Sequence, residues 1–233
     1  MDFNDTPEEA AFRDEARAWL AANAQEYVMS PPQAWTELRL VAKSRDWLGR
    51  KAAAGFATIT WSKEIGGRAL VGDVSRHADV AGWAGDLGDV DLLVNNAGIS
   101  GPDDPLADVD AWWHVFEVNV LGTFMCCRTW APHMVERGGG RIVNVASGSA
   151  YLPPREGPGN TAYPASKAAV HRFSEMLAAS LAPQNVFVFS ISPGLVKTSM
   201  TAWLGDDAPW TPPECAPRLV HALATGEFDR LAG

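Results

Sequence analysis

Cysteine, basic residues and long apolar runs are scarce in this sequence, and each shortage excludes a class of protein. Three cysteines among 233 residues, two of them adjacent, are typical of a reducing compartment rather than of a disulfide framework. A net charge of −9 argues against binding nucleic acid through its phosphates. No apolar run reaches the roughly 18 residues that a membrane-spanning helix needs. We therefore expect a cytoplasmic protein that binds neither nucleic acid nor a membrane.

Metal-binding and export signals are missing as well. The five histidines are scattered, and no CxxC or HxxxH spacing suggests metal ligands, so we expect no metal site. The first residues are acidic and interrupted, which argues against a signal peptide. An apolar content of 47% is enough for a core. The length predicts one domain, or one domain with an appendage.

Strand and helix patterns alternate through residues 64–233. Short apolar runs bounded by Asp or Gly predict buried parallel strands at residues 68–71, 92–94, 141–146 and 186–191. Helical patterns fill the gaps, at residues 76–86, 108–136 and 161–182. This alternation predicts a doubly wound α/β sheet, in which ligands lie at the carboxyl ends of the strands.

Tyr163 and Lys167 lie one helical turn apart in the last of these helices. Residues at i and i+4 share a helix face, and a lysine ammonium beside a tyrosine hydroxyl favours the phenolate form. Such a pair can serve as a general acid or base. By itself the spacing is weak evidence, because any amphipathic helix can carry a tyrosine and a lysine four residues apart.

Four further motifs accompany this pair in a fixed order. They are Asn95-Asn96-Ala97-Gly98, Asn119 in FEVNVLGTF, Ser147 in RIVNVASGSA, and SPGLVKT at residues 192–198. In order and spacing, the five motifs resemble the short-chain dehydrogenase/reductase family. The resemblance implies an incomplete Rossmann-like doubly wound parallel sheet. It also implies hydride transfer between NAD or NADP and a secondary alcohol or ketone.

The same resemblance implies a catalytic role for each motif. Tyr163 would exchange a proton with the substrate oxygen, and Lys167 would support Tyr163 and hold the nicotinamide ribose. Ser147 would hydrogen-bond the reacting carbonyl oxygen, with Ser149 as the alternative. Asn119 would kink its helix and hold a water that feeds protons toward Lys167.

Residues that bind the cofactor follow from the resemblance in the same way. They would be Asp73, Val74, Asn95, Ala97, Gly98, Tyr163, Lys167, Pro193, Gly194, Val196 and Thr198. Asp73 would accept a hydrogen bond from adenine, or it simply ends a strand in a turn. Asn95 would line the adenine ribose, or it stabilises the sheet by bonding neighbouring backbone.

The glycine-rich turn TGxxxGxG that opens the family's domains has no counterpart in this sequence. That turn lets backbone N–H groups approach the pyrophosphate, so we expect poor dinucleotide affinity. The residue that would select NAD or NADP is missing as well. The alternative is therefore a non-catalytic remnant that acts through association. The family's usual interface, formed by the helices at residues 108–136 and 161–182, predicts a homo-oligomer.

Residues 1–63 have a different character. Thr6 and Pro7 are typical of a helix start, and a second helical pattern follows Ser30-Pro31-Pro32 and ends near Gly55. MDFNDTPEEAAFRDEARAWLAANA and RKAAAGFATITWSKEIGGR resemble the N-terminus of bacterial acyl-CoA dehydrogenases. This resemblance implies a helical segment, 1–63, fused to a partial Rossmann-like domain, 64–233. A third alternative, a flavin-dependent acyl-CoA dehydrogenase, rests on this segment alone.

Overall fold

The structure, a computed structural model, describes residues 7–24, 46, 50, 70–153, 159–201 and 204–233. The chain divides into two compact units, Met1–Gly72 and Asp73–Gly233. The predicted division between residues 63 and 64 lies outside the described residues, and it stays a prediction.

The first unit contains helix α1, Pro7–Asn23, which begins at the predicted proline. Its last residue, Asn23, donates its side-chain Nδ2 to the carbonyl oxygen of Trp19, one turn earlier, at 2.9 Å. The predicted N-cap, Thr6, lies outside the described residues. So does the second predicted helix, except for Asp46 and Arg50, which are helical.

The second unit alternates helices and strands. Its elements are α2 (His77–Leu87), β1 (Leu92–Asn95), α3 (Val109–Phe116), a π-helical segment (Glu117–Leu121), α4 (Gly122–Glu136), β2 (Gly140–Val145), α5 (Ala162–Leu181), β3 (Val186–Ile191) and α6 (Cys215–Ala224). Short 3-10 turns lie at Gly148–Ala150, Ala182–Gln184, Ser199–Thr201 and Asp229–Leu231. None of the described helices has the length and apolar character to cross a bilayer.

The three strands form a parallel sheet in the order β1-β2-β3. Side chains alternate along each strand, so both faces of the sheet carry apolar residues, and helices cover both faces. Ile142 and Val188 point to one face and pack with residues of α4 and α5. Val143 and Ile191 point to the other face, where they pack with Leu223 of α6. The predicted doubly wound α/β fold is confirmed.

The strand predicted at residues 68–71 is wrong in its described part. Leu70 and Val71 are not in a strand, and Val71 is 47% exposed. An apolar run becomes a strand only when a neighbour pairs with its backbone groups. Among the described residues, no strand pairs with Leu70 or Val71, and β1 has β2 as its hydrogen-bonded neighbour.

Candidate active site

Tyr163 and Lys167 lie in the first turns of α5, on the same face. The turn before the helix is fixed by Asn160, whose Oδ1 accepts a hydrogen bond from the backbone N–H of Tyr163 at 2.9 Å. The Nζ of Lys167 lies 5.7 Å from the centroid of the Tyr163 ring, within the range of a cation–π contact. The structure therefore brings together the two residues on which the predicted acid–base pair depends.

Lys167 is an unusually buried lysine, with 5% of its surface exposed. Its Nζ donates a hydrogen bond to the carbonyl oxygen of Val145 at 2.7 Å. Val145 ends strand β2, so this bond ties the amine to the carboxyl end of the sheet. Burial disfavours the charged amine and lowers the pKa of Lys167 to about 8. Near neutral pH the amine is thus charged but close to its titration.

Asn119 lies in the π-helical segment between α3 and α4, where the sequence predicts a kink. A π-turn of this kind is rare and is frequent at functional sites. The Asn119 side chain accepts from the N–H of Ile99 at 2.8 Å and donates to its carbonyl oxygen at 3.0 Å. It also donates to the hydroxyl of Ser166 at 2.9 Å, and that hydroxyl donates to the carbonyl oxygen of Tyr163. Asn119 therefore joins the loop after β1 to the start of α5.

Gly98 lies where these two groups approach the loop after β1. A Cβ added at Gly98 would lie 3.2 Å from Oδ1 of Asn119 and 3.3 Å from Nζ of Lys167. Both distances are shorter than ordinary van der Waals contacts of a Cβ. The glycine in the NNAG motif consequently makes room for the amide and the amine.

Ser147 follows β2 and begins a short 3-10 turn. Its Oγ accepts from the N–H of Ser149 at 3.2 Å and from the hydroxyl of Ser149 at 3.0 Å. The Ser149 hydroxyl hydrogen is thus engaged, whereas Ser147 donates to no partner among the described residues. This arrangement favours Ser147 over Ser149 as the hydroxyl that can donate to a ligand. Part of the loop that separates them from Tyr163, residues 154–158, lies outside the described residues.

Three of the predicted cofactor-binding residues line one cavity of about 200 Å³ between α2, β1 and the π-helical segment. They are Val74, Asn95 and Ala97, and Trp130 lines the same cavity. The indole N–H of Trp130 is buried and has no hydrogen-bond partner among the described residues. The walls of this cavity are mainly apolar.

The side-chain amide of Asn95 bonds to other side chains, whereas its alternative role predicted bonds to the neighbouring backbone. Its Nδ2 donates to Oδ1 of Asn144 at 2.8 Å and to Sγ of Cys127 at 3.3 Å. Asn144, directly opposite Asn95 in the sheet, in turn donates to the hydroxyl of Ser174 at 2.9 Å. Sequence reasoning missed Asn144 and Ser174, although an asparagine inside the apolar run RIVNV was a visible signal.

Asp73 makes the local bonds of a turn. Its Oδ1 accepts from the N–H of Ser75 at 2.9 Å and from the Ser75 hydroxyl at 2.6 Å. Its own N–H donates to Oδ2 of Asp79 at 2.8 Å. These bonds are those expected of an aspartate in a turn, which was the alternative role of Asp73. They do not test the predicted contact with adenine.

The remaining predicted cofactor residues lie in the loop after β3. They are Pro193, Gly194, Val196 and Thr198. Gly194 has a φ of +81°, a conformation that favours glycine. The N–H of Thr198 donates to the hydroxyl of Thr201 at 2.8 Å, and that hydroxyl donates to the carbonyl oxygen of Val196 at 2.7 Å. Thr201 thereby organises this loop, and sequence reasoning missed it.

The chain resembles known proteins in sequence. The family profile described as short chain dehydrogenase matches residues 50–209. Galactitol 2-dehydrogenase of Rhizobium johnstonii is 36% identical over 183 residues, which are 70% of this chain and 70% of that protein. The 2-(R)-hydroxypropyl-CoM dehydrogenase of Xanthobacter autotrophicus is 37% identical over 136 residues, 57% of this chain and 52% of that protein.

Solved structures resemble the fold to a similar extent. The gluconate 5-dehydrogenase of Burkholderia cenocepacia, crystallised with NADP and tartrate, has a TM-score of 0.61 and 27% identity, over 81% of this chain and 77% of that chain. This chain spans between 39% and 63% of the length of three curated relatives that it matches. The profile begins at residue 50, inside the segment that resembles acyl-CoA dehydrogenases, and these matches give that second resemblance no support.

Proposed function

Because the chain belongs to the short chain dehydrogenase family, we propose that it is an NAD(P)-dependent oxidoreductase that interconverts a secondary alcohol and a ketone. The observation that carries this proposal is the buried amine of Lys167 beside the ring of Tyr163. Relatives named as dehydrogenases of galactitol and of 2-dehydro-3-deoxy-L-rhamnonate support the substrate class. A bound nicotinamide cofactor supplies the hydride, or accepts it.

The protein's own part in this chemistry is to move a proton and to stabilise charge. Tyr163 gives a proton from its phenol oxygen to the ketone oxygen, or takes one from the alcohol. The ammonium of Lys167, held by Val145, stabilises the phenolate that results. Ser147 donates its hydroxyl hydrogen to the same substrate oxygen. Asn119 holds the start of α5 in place, and the water that it would position remains part of the proposal.

The described residues fit the two ends of a dinucleotide. At the adenine end, Val74, Asn95 and Ala97 line the apolar cavity, with Asp73 and Gly98 as further predicted contacts. At the nicotinamide end, Tyr163 and Lys167 would hold the ribose, and the loop after β3 would face the carboxamide through Pro193, Gly194, Val196 and Thr198. The glycine-rich turn for the pyrophosphate is missing from the sequence, and none of the predicted contacts selects between NAD and NADP.

The missing turn also favours the alternative, a remnant that binds no dinucleotide. Each lost charge-assisted hydrogen bond to the pyrophosphate costs about 1.5–3 kcal/mol, so two lost bonds weaken binding by on the order of a hundredfold or more. Calorimetric titration with NAD(H) and NADP(H) separates the two functions. We expect weak but saturable binding, with a dissociation constant above the micromolar range. No binding at millimolar concentration would favour the remnant.

We also propose that the chain forms a homo-oligomer through α4 and α5. Phe124 and Met176 are 44% and 54% exposed on these helices. Phe124 contacts Phe173 edge-on, with ring centroids 6.0 Å apart, beside an apolar groove of about 430 Å³. A second copy would remove this surface from water. Sedimentation of the Phe124→Glu and Met176→Glu variants tests this, because both should dissociate; an unchanged mass would contradict it.

A reducing cytoplasm remains the proposed location. Cys126 and Cys127 are buried free thiols, and Cys215 is an exposed free thiol, as expected where thiols stay reduced. The fusion with an acyl-CoA dehydrogenase-like segment at residues 1–63 also remains a hypothesis. Purified protein without flavin absorbance would exclude the flavin-dependent alternative.

A further inference from the structure

The loop after β3 is held by two hydrogen bonds to a residue far along the chain, Thr211. The N–H of Leu195 donates to the hydroxyl of Thr211 at 3.1 Å, and the N–H of Thr211 donates to the carbonyl oxygen of Leu195 at 2.8 Å. Both backbone groups of Leu195 are therefore satisfied by one residue, 16 positions later. Leu195 lies between Gly194 and Val196, two of the residues predicted to face the cofactor.

Gly194 leaves room for the side chain of Thr211. A Cβ at Gly194 would lie 2.3 Å from Oγ1 of Thr211 and 2.8 Å from its Cβ, far inside van der Waals contact. The side chain of Thr211 thus occupies the space that any other residue at position 194 would need. The close approach and the positive φ of Gly194 are two separate reasons for a glycine there.

Further contacts tie the same two segments together. The Nζ of Lys197 contacts Oδ1 of Asp206 at 2.5 Å and lies 5.9 Å from the ring centroid of Trp210. The indole N–H of Trp210 donates to the carbonyl oxygen of Asp206 at 3.0 Å. The ion pair is exposed and contributes little by itself. The hydrogen bonds between Leu195 and Thr211 are therefore the better-defined connection between these two segments.

We propose that Thr211 is a positioning residue that holds the loop at residues 193–198 against the nicotinamide end of the cofactor. This inference rests on the proposed function. The hydroxyl fixes the N–H of Leu195, and through it the backbone on which Pro193, Gly194 and Val196 lie. Without the hydroxyl, the loop keeps its sequence but loses one of the two hydrogen bonds between Leu195 and Thr211.

Two substitutions separate the hydroxyl from the shape of the side chain. Thr211→Val keeps the branched shape and removes the hydroxyl, whereas Thr211→Ser keeps the hydroxyl. Thr225→Val is the matched control, because the Thr225 hydroxyl bonds within its own helix end, to the carbonyl oxygen of Ala222. The first readout needs no cofactor: the exchange rate of the Leu195 amide hydrogen, followed by NMR. It should rise in Thr211→Val and stay unchanged in Thr211→Ser and Thr225→Val.

The second readout compares the affinity for NADH or NADPH with that for ADP-ribose, which lacks the nicotinamide. Thr211→Val should weaken dinucleotide binding about five- to tenfold, the effect of one hydrogen bond, and leave ADP-ribose binding unchanged. Thr211→Ser should restore the dinucleotide affinity. Equal losses for both molecules, or an unchanged exchange rate at Leu195, would overturn the role of Thr211. If the unmodified chain bound neither molecule, the proposed function would fail instead.

Discussion

Gly98→Ala tests the arrangement of the site by adding a single methyl group. The new Cβ would lie 3.2 Å from Oδ1 of Asn119 and 3.3 Å from Nζ of Lys167. Each neighbour is held by its own hydrogen bonds, Asn119 to Ile99 and Lys167 to Val145. To make room, one of these polar groups must move and stretch a buried bond.

The expected cost follows from two opposing effects. Overpacking a well-packed site costs about 1–3 kcal/mol, whereas replacing glycine by alanine gains about 0.4–1 kcal/mol by restricting the unfolded chain. We therefore expect Gly98→Ala to lower the free energy of unfolding by about 1–2 kcal/mol. Turnover should fall as well, because the displaced group is the amine or the amide of the site.

Gly82→Ala provides the matched control for this variant. Gly82 lies on an exposed face of α2, and a Cβ there would meet nothing within 4 Å. That substitution should raise the free energy of unfolding by about 0.5–1 kcal/mol, the helix preference of alanine. Urea denaturation of both variants gives the comparison. A Gly98→Ala variant as stable as Gly82→Ala would show that Asn119 and Lys167 do not converge on this loop.

Three further predictions concern charge and buried bonds. Lys167→Met should flatten the pH dependence of stability. The pKa of Lys167 is about 8 in the folded chain, against an ordinary value of 10.5. Between these two pH values the unfolded chain binds more protons than the folded chain, so the free energy of unfolding of the unmodified chain rises with pH. Asn144→Leu should lower the free energy of unfolding by about 1–3 kcal/mol in urea, because Asn95 loses its amide acceptor in a buried site and keeps only the weaker bond to Cys127. Ser147→Ala should lower turnover by about 10²–10³-fold and Ser149→Ala by much less; the reverse order would exchange their roles.

The sequence was informative where local pattern decides the structure. Strand β3 was predicted with the bounds that it has, Val186–Ile191, because a strand buried on both faces is a continuous apolar run that ends at turn residues. Helix α5 was predicted within one residue at each end. Asn119 was singled out as a helix-interior asparagine, and the helix does turn to π geometry there.

Partners that are distant in sequence could not be predicted. Asn144 bonds Asn95 from 49 residues away, and Thr211 lies outside every recognised motif. Neither residue type nor spacing shows that such pairs meet; only the parallel register and the return of the loop bring them together. The strand predicted at residues 68–71 was wrong for the same reason, because an apolar composition does not show whether a neighbouring strand is there to pair with it.

The comparison of the unmodified chain with Tyr163→Phe tests the central claim most directly. Tyr163→Phe keeps the ring and removes the oxygen that would exchange a proton with the substrate. The measurement is the rate of reduction of a panel of ketones at saturating NADH and NADPH, with both proteins at equal folded content by circular dichroism. We expect turnover to fall by about 10²–10⁴-fold with the fold intact. Equal rates for the two proteins would contradict the assignment of the active site to Tyr163 and Lys167.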